Sequence, residues 1–289
     1  AKAYRPLILL AGYSAYPRKL NFAKLREIAD EVNAVLMVDM AHFAGLVAGK
    51  VFHGDYDPVP HAHVVTSTTH KTLRGPRGGI VLAKKEYAEW VDKGCPAILG
   101  GPLPHVMASK AIALREALSP AFRAYAQRIV DNAKTLASAL TDQGVPVLTN
   151  GTDNHIVLTN VYKGFGLTGR QAETALRECH MTLNRNSLPD DPNGAWYTSG
   201  LRLGTPALST LGMGETHMKE IASLIKHVLS HTTPAVLTQG ERKGQKSLAK
   251  YTLPPQVREE AHARVRAMMQ DYKPYPELEL DILKEGGLY

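Results

Sequence analysis

Two apolar runs of strand length near the amino end constrain the fold of this chain more than any other feature. Leu7-Ile8-Leu9-Leu10-Ala11 is closed by Gly12, and Ala34-Val35-Leu36-Met37-Val38 delivers Asp39 at its carboxyl end. Between them Asn21 predicts a helix cap, followed by Phe22, Leu25, Ile28, Ala29 and Val32 on one helical face. Strand, helix, strand in this order predicts a βαβ unit with parallel strands and a right-handed crossover. His63 to Ser67 and Gly79 to Ala83 predict two more strands. Ligands of open α/β sheets collect at the carboxyl ends of the strands, so Asp39 and the residues after Ser67 stand where a ligand would lie.

Those residues form an unusual frame. The hydroxyl-rich run Val64-Val65-Thr66-Ser67-Thr68-Thr69 leads into His70-Lys71-Thr72-Leu73 and then into the turn Arg74-Gly75-Pro76-Arg77-Gly78-Gly79. A lone lysine in a polar loop is ordinarily a solvated charge, and an aspartate after a strand is ordinarily a cap or turn residue. Together they suit a lysine that must meet one carbonyl carbon in one geometry, as an imine-forming lysine does for pyridoxal phosphate (PLP). Asp39 suits the pyridine nitrogen of that cofactor, because a protonated ring draws electrons from the substrate's α-carbon. His42 follows three residues on, and the small Ala41 lets a flat ring approach the backbone.

Composition limits the alternatives. The 289 residues suggest about two domains. No apolar run approaches the ~20 residues of a membrane span, and the amino end has no signal-peptide core. Cys95 and Cys179 are too few for a disulfide framework, which points to a reducing cytoplasm. The net charge of +7 favours anionic partners, and Arg242, Lys243, Lys246 and Lys250 concentrate part of it. No aromatic residues interleave with these, so the stacking platform of a single-strand nucleic-acid binder is lacking; a solvated basic loop accounts for them. His61 and His63, spaced i,i+2 without a carboxylate or cysteine cluster, read as structural rather than metal-ligating.

A helix-rich stretch spans His105 to Leu140, with Ser119-Pro120 reading as a cap and first helical residue. A boundary there gives one domain over 1–118, the later part of a larger cofactor-binding α/β domain, and a smaller α+β domain over 119–289. In the second part, Val145 to Leu148, Asn154 to Leu158 and Leu201 to Leu203 predict strands. Gly169 to Cys179, Glu215 to Leu229 and Gln256 to Gln270 predict helices, Lys243 to Pro255 a basic connector, and the last residues a loose tail.

Several long motifs in order carry a family resemblance: Gly12-Tyr13-Ser14-Ala15-Tyr16, Val38-Asp39-Met40-Ala41-His42, Pro60-His61-Ala62-His63-Val64-Val65, the Lys71 segment, Gly100-Gly101-Pro102, Gly151-Thr152-Asp153-Asn154-His155, and Thr198-Ser199-Gly200-Leu201-Arg202-Leu203-Gly204-Thr205-Pro206-Ala207. From about Pro6 to about Tyr275 the chain resembles serine hydroxymethyltransferase of the bacterial type. The resemblance implies the aspartate-aminotransferase-type fold of PLP enzymes, PLP as cofactor, tetrahydrofolate as co-substrate, and reversible conversion of serine to glycine in a cytoplasmic homodimer or higher oligomer.

It further implies that Lys71 holds PLP as an imine and Asp39 binds the pyridinium nitrogen. Ser14 and His42 would contact the ring and its phenolic oxygen, and Thr68 and His70 would flank the linkage. Gly100 and Gly101 would lend N–H groups to the phosphate of the partner's cofactor. Arg202 would clamp the substrate carboxylate, and Asn186 with Gly194, Ala195 and Trp196 would border the folate. Arg74 and Arg77 read as loop charges, with Arg77 the better candidate for an ordered anchor. Leu99 stands where many relatives carry Gln.

The family's long N-terminal portion, with its acid/base glutamate, is expected to be missing. The expected consequences are an inactive or weakly active chain and exposed apolar surface around Leu7–Leu10 and Val35–Val38. Rival readings are a threonine aldolase-like enzyme of the same fold, or a non-catalytic fragment acting in dimerisation or RNA binding. A cysteine desulfurase would need a mobile loop cysteine, which neither Cys95 nor Cys179 resembles.

Overall fold

Strands β1 (Ile8–Gly12), β2 (Val35–Asp39), β3 (Val64–Thr68) and β4 (Gly79–Ala83) lie side by side in chain order. The first three run parallel and β4 returns antiparallel to β3, so the sheet is mixed. This is a computed structural model that describes residues 1–240 and 243–275, without the side chains of Cys95 and Pro96. Arg242 of the basic segment and the expected tail after Tyr275 lie outside the described residues.

Helix α1 (Phe22–Glu31) makes the crossover from β1 to β2, and Asn21 Oδ1 accepts the Lys24 N–H at 2.8 Å as its cap. It buries Phe22 and Ala29 and packs on β2. Phe22, Phe43 and Phe52 form an aromatic row with centroid separations of 5.8 and 5.7 Å. Around that row, Leu36, Val38, Leu46, Phe122 and Ile129 complete one core. Exposed apolar surface was expected at both strands, and it occurs at one. Leu7 is 87% exposed and Ile8 and Leu10 are also exposed, whereas Leu36 and Val38 are fully buried. The reason is position: β1 is the sheet edge, while β2 lies between two strands under α1.

The chain continues through α2 (Ala44–Ala48), α3 (Pro58–His61), α4 (Ala88–Ile98), α5 (Pro104–Ala117) and α6 (Pro120–Asp142). Ser119 Oγ accepts the Phe122 N–H at 3.2 Å, as a cap before Pro120 should. Then come β5 (Ile156–Asn160), α7 (Val161–Phe165), α8 (Gly169–Glu178), β6 (Asn184–Asn186), α9 (Gly194–Tyr197) and β7 (Gly200–Gly204). Last are α10 (Pro206–Thr210), α11 (Glu215–Ser230), β8 (Thr233–Val236), β9 (Lys246–Thr252) and α12 (Pro255–Met269). Ala1–Ala137, Val147–Leu158 and Leu203–Pro206 form one compact unit; Ser138–Pro146, Thr159–Arg202 and the described residues from Ala207 onward form another.

Two sequence expectations need correction. Val145 to Leu148 is not a strand: Pro146 removes a ladder N–H, and the chain turns through a 3-10 element over Leu148–Asn150 with Thr149 at φ 56°. Lys243 to Pro255 is not a connector throughout, since β9 occupies most of it and pairs antiparallel with β8. Its lysines Lys246 and Lys250 are exposed while Ser247 is buried, so the charges sit on the solvent side of a strand.

Candidate active site

The carboxyl ends of β1, β2 and β3 are held in register by Gly12, Asp39 and Thr66. Gly12 has φ 145°, and a side chain there would overlap the carbonyl of Asp39. The close approach of the two strand ends therefore requires glycine.

Beyond β3, the Lys71 turn is tied down almost atom by atom. Thr69 N–H donates to Gly78 O at 3.0 Å, Gly75 N–H to Thr69 O at 2.7 Å, and Thr69 Oγ1 to Pro76 O at 2.6 Å. Arg74 takes the left-handed conformation at φ 60°, and its guanidinium lies 4.3 Å from the Tyr125 ring centroid. Thr72 Oγ1 donates to His42 O at 2.8 Å and accepts the Gly45 N–H at 3.0 Å, which joins this turn to the one after β2. On this frame the half-buried Lys71 donates from Nζ to Thr68 Oγ1 at 3.1 Å, and Thr68 Oγ1 in turn reaches Ala41 O at 3.4 Å. The amine is thus aimed by a neutral hydroxyl.

Asp39 is exposed at the end of β2, and its Oδ1 accepts the Ala41 N–H at 2.9 Å. It is a turn residue and a carboxylate at the mouth of the sheet at once. Ser14 is exposed in the loop after β1, and His42 is half-buried in the turn after β2. His70 receives Arg77 Nη1 on Nε2 at 3.3 Å. The Gly78 N–H lies 3.5 Å from His70 Nδ1, so the ring sits between two donors. Arg77 is accordingly an anchor for His70. Gly100 and Gly101 lie exposed between α4 and α5, with no atom within 4 Å of where a side chain would begin.

In the other unit, Arg202 stands on β7 opposite Asn184 of β6, and its Nε donates to Asn184 Oδ1 at 3.1 Å. Burial pulls its guanidinium below the usual value. Asn186 lies on β6, its Nδ2 donating to Ser187 O at 2.6 Å. Gly194, Ala195 and Trp196 are exposed on α9. The Trp196 ring is 61% exposed, with Arg170 and Arg185 over it at 5.5 and 5.6 Å, so it is a cation-π platform and not a core side chain. His63 Nδ1 accepts the Leu36 N–H at 2.8 Å and His61 Nε2 lies 3.3 Å from Gly54 O, so both imidazoles serve the backbone.

The segment Thr152-Asp153-Asn154-His155 is one of the family landmarks, and the structure gives it a role that the sequence alone does not show. Asp153 N–H and Thr152 Oγ1 donate to Pro17 O at 2.8 and 3.1 Å. Asn154 Nδ2 donates to Tyr16 O at 3.0 Å and to Tyr13 OH at 3.3 Å, and Arg18 pairs with Asp153 at 2.9 Å. These bonds clamp the loop that carries Ser14. The run of polar residues with small spacing was the available signal, but its partners lie about 135 positions away.

Residues 1–225 match the family model of serine hydroxymethyltransferase. The chain belongs to the serine hydroxymethyltransferase family. It is 60% identical over 284 residues to the serine hydroxymethyltransferase of Treponema pallidum, covering 98% of this chain and 49% of that protein. The enzyme of Cutibacterium acnes is 58% identical over 280 residues, covering 97% and 56%, and that of Mycolicibacterium smegmatis 59% over 280, covering 97% and 55%. The chain therefore spans about half the length of the curated relatives it matches. The family has the aspartate-aminotransferase-type fold of PLP enzymes, with which the mixed α/β sheet agrees.

Proposed function

We propose that this chain holds PLP through Lys71 and contributes these residues to the reversible conversion of serine to glycine, with tetrahydrofolate taking the one-carbon unit, the chain by itself being inactive or weakly active. The observation that carries this is the Lys71 amine fixed on Thr68 Oγ1 at the strand ends where Asp39 also emerges. The donor set suits PLP: a lysine amine, an exposed carboxylate, an imidazole at His42 and the Ser14 hydroxyl. When bound, PLP supplies an electron sink for the bonds of the amino acid's α-carbon. The chain's own groups do the rest. Thr68 Oγ1 orients the Lys71 amine, and Asp39 offers an anion to a protonated ring nitrogen. Arg202, its guanidinium plane set by Asn184, suits the two oxygens of a carboxylate. Because its charge is partly desolvated, an anion beside it is favoured.

The same reading assigns the PLP-holding part to 1–118 and the smaller domain to 119–289. It places the folate beside Asn186 and the Gly194-Ala195-Trp196 segment, and the protein in the cytoplasm. A second copy of the chain is assigned to the exposed side of α5 and to Gly100-Gly101, which are exposed with open space among the described residues where a side chain would begin. The test is borohydride reduction in the presence of PLP, then peptide mapping. The label should sit on the peptide containing Lys71, and a label on any other lysine overturns the assignment.

A further inference from the structure

His42 and His155 meet end to end. His42 Nδ1 lies 3.3 Å from His155 Nε2, the ring planes are 18° apart, and the centroids are 5.5 Å apart. Rings stacked face to face could not have so short a nitrogen–nitrogen distance at so large a centroid separation. The two imidazoles are nearly coplanar, joined edge to edge by one hydrogen bond. Both belong to the same compact unit. His155 is 5% exposed, and its backbone is held from both sides: Asn154 is bonded to Tyr13 and Tyr16, and His155 O accepts the Thr205 N–H at 3.3 Å. His42 is held through its carbonyl by Thr72 Oγ1.

Neutral imidazole carries its proton on one nitrogen, and the hydrogen bond at the other nitrogen decides which. We infer that His155 is a positioning residue that donates from Nε2 to His42 Nδ1 and so keeps the proton of His42 on Nε2. His42 then carries an N–H, not a lone pair, on Nε2. This direction rests on the PLP reading, in which His42 meets an electron-rich phenolic oxygen and has to donate to it. Had His42 donated from Nδ1 instead, Nε2 would offer a lone pair and would repel that oxygen. His155 thus acts through His42, much as an outer partner fixes the tautomer of a metal-binding histidine.

The test uses the full 289-residue chain labelled with ¹⁵N-histidine, without PLP. A scalar coupling across the hydrogen bond should link His42 Nδ1 and His155 Nε2, and the ring nitrogens of His42 should show the Nε2–H tautomer. In His155→Phe the coupling vanishes and His42 becomes a mixture of tautomers. In His155→Gln, whose amide can still donate, the Nε2–H form is retained. The unsubstituted chain decides even if a variant fails to fold: absence of the coupling, or a His42 proton on Nδ1, overturns the inference. An unchanged His42 pattern in a folded His155→Phe overturns it too. Coupling with Nε2–H present, but reduced PLP on another lysine, leaves the tautomer assignment standing and removes the PLP reading; the reverse result removes only the assignment.

Discussion

A methyl group added at Gly45 would overlap the carbonyl of Thr72, the residue beside Lys71. The fit is backbone against backbone, so no side-chain rotation relieves it. Gly45→Ala should lower stability by about 1–3 kcal/mol, the usual range for overpacking a filled interior, read as an earlier urea midpoint. An unchanged midpoint would mean that the Lys71 turn yields easily and does not fix the amine. Arg202 poses a different question. Its Nε bond to Asn184 fixes a plane that a lysine cannot offer. Arg202→Lys should therefore weaken serine binding about ten- to hundredfold, the loss of one charge-assisted hydrogen bond of roughly 1.5–3 kcal/mol, with PLP content retained. Serine titration of the PLP absorbance measures it, and equal affinity in the two proteins would remove Arg202 from the carboxylate role.

Between Asn186 and β7 the chain is organised by one carboxylate. Asp191 accepts Leu188 N–H and Ser199 N–H on Oδ2, at 3.0 and 2.8 Å, and Asn193 N–H and Ser199 Oγ on Oδ1, at 2.9 and 2.6 Å. Burial alone would raise its pKa, but the hydrogen bonds from Ser199 and the backbone outweigh burial and hold it below the ordinary 3.8. A folded-state value below the unfolded one means stability present above pH 3.8 and lost as pH falls through the lower, folded value. The element carrying Trp196 should loosen in that acid range. In a Trp90→Phe background, Trp196 fluorescence should change there, and Asp191→Asn should already look loosened at neutral pH. A flat acid profile identical in both would contradict this account. The same scale shows what could be read in advance. Strands β1 to β4, α1 and its Asn21 cap were legible because apolar runs and caps are local signals. β9 was not, because strand pairing with β8 outweighed its lysines and neighbouring proline. The Lys71 and Asp39 positions followed from strand ends, whereas His155 works through a partner 113 positions away that its local pattern does not name.

At the scale of the molecule, two groups of exposed apolar side chains stand out among the described residues. One is the β1 edge; the other is α5 and its flanks, where Leu103, Met107, Ile112, Leu114 and Leu118 are exposed, the last at 80%. Ala113 and Ala117 are the buried residues of α5, while its large apolar residues Met107, Ile112 and Leu114 are exposed. A helix that packs only on its own chain shows the opposite order, because burying large apolar groups gains more than burying alanine. Contiguous exposed apolar surface marks an interaction site, and Gly100-Gly101 lies just before this helix. The chain should therefore associate with itself at micromolar concentration, and the Ile112→Lys, Leu118→Lys double variant should not. Light scattering should then give the variant a mass near the 31.5 kDa of one chain, against at least twice that for the unsubstituted protein. Both positions are exposed, so the urea midpoint of the variant at low concentration should stay within about 0.5 kcal/mol of the parent in stability. A parent that is already monomeric would refute the α5 interface. A variant that still associates would shift the contact to the β1 edge, where Leu7 and Leu10 are the next residues to charge.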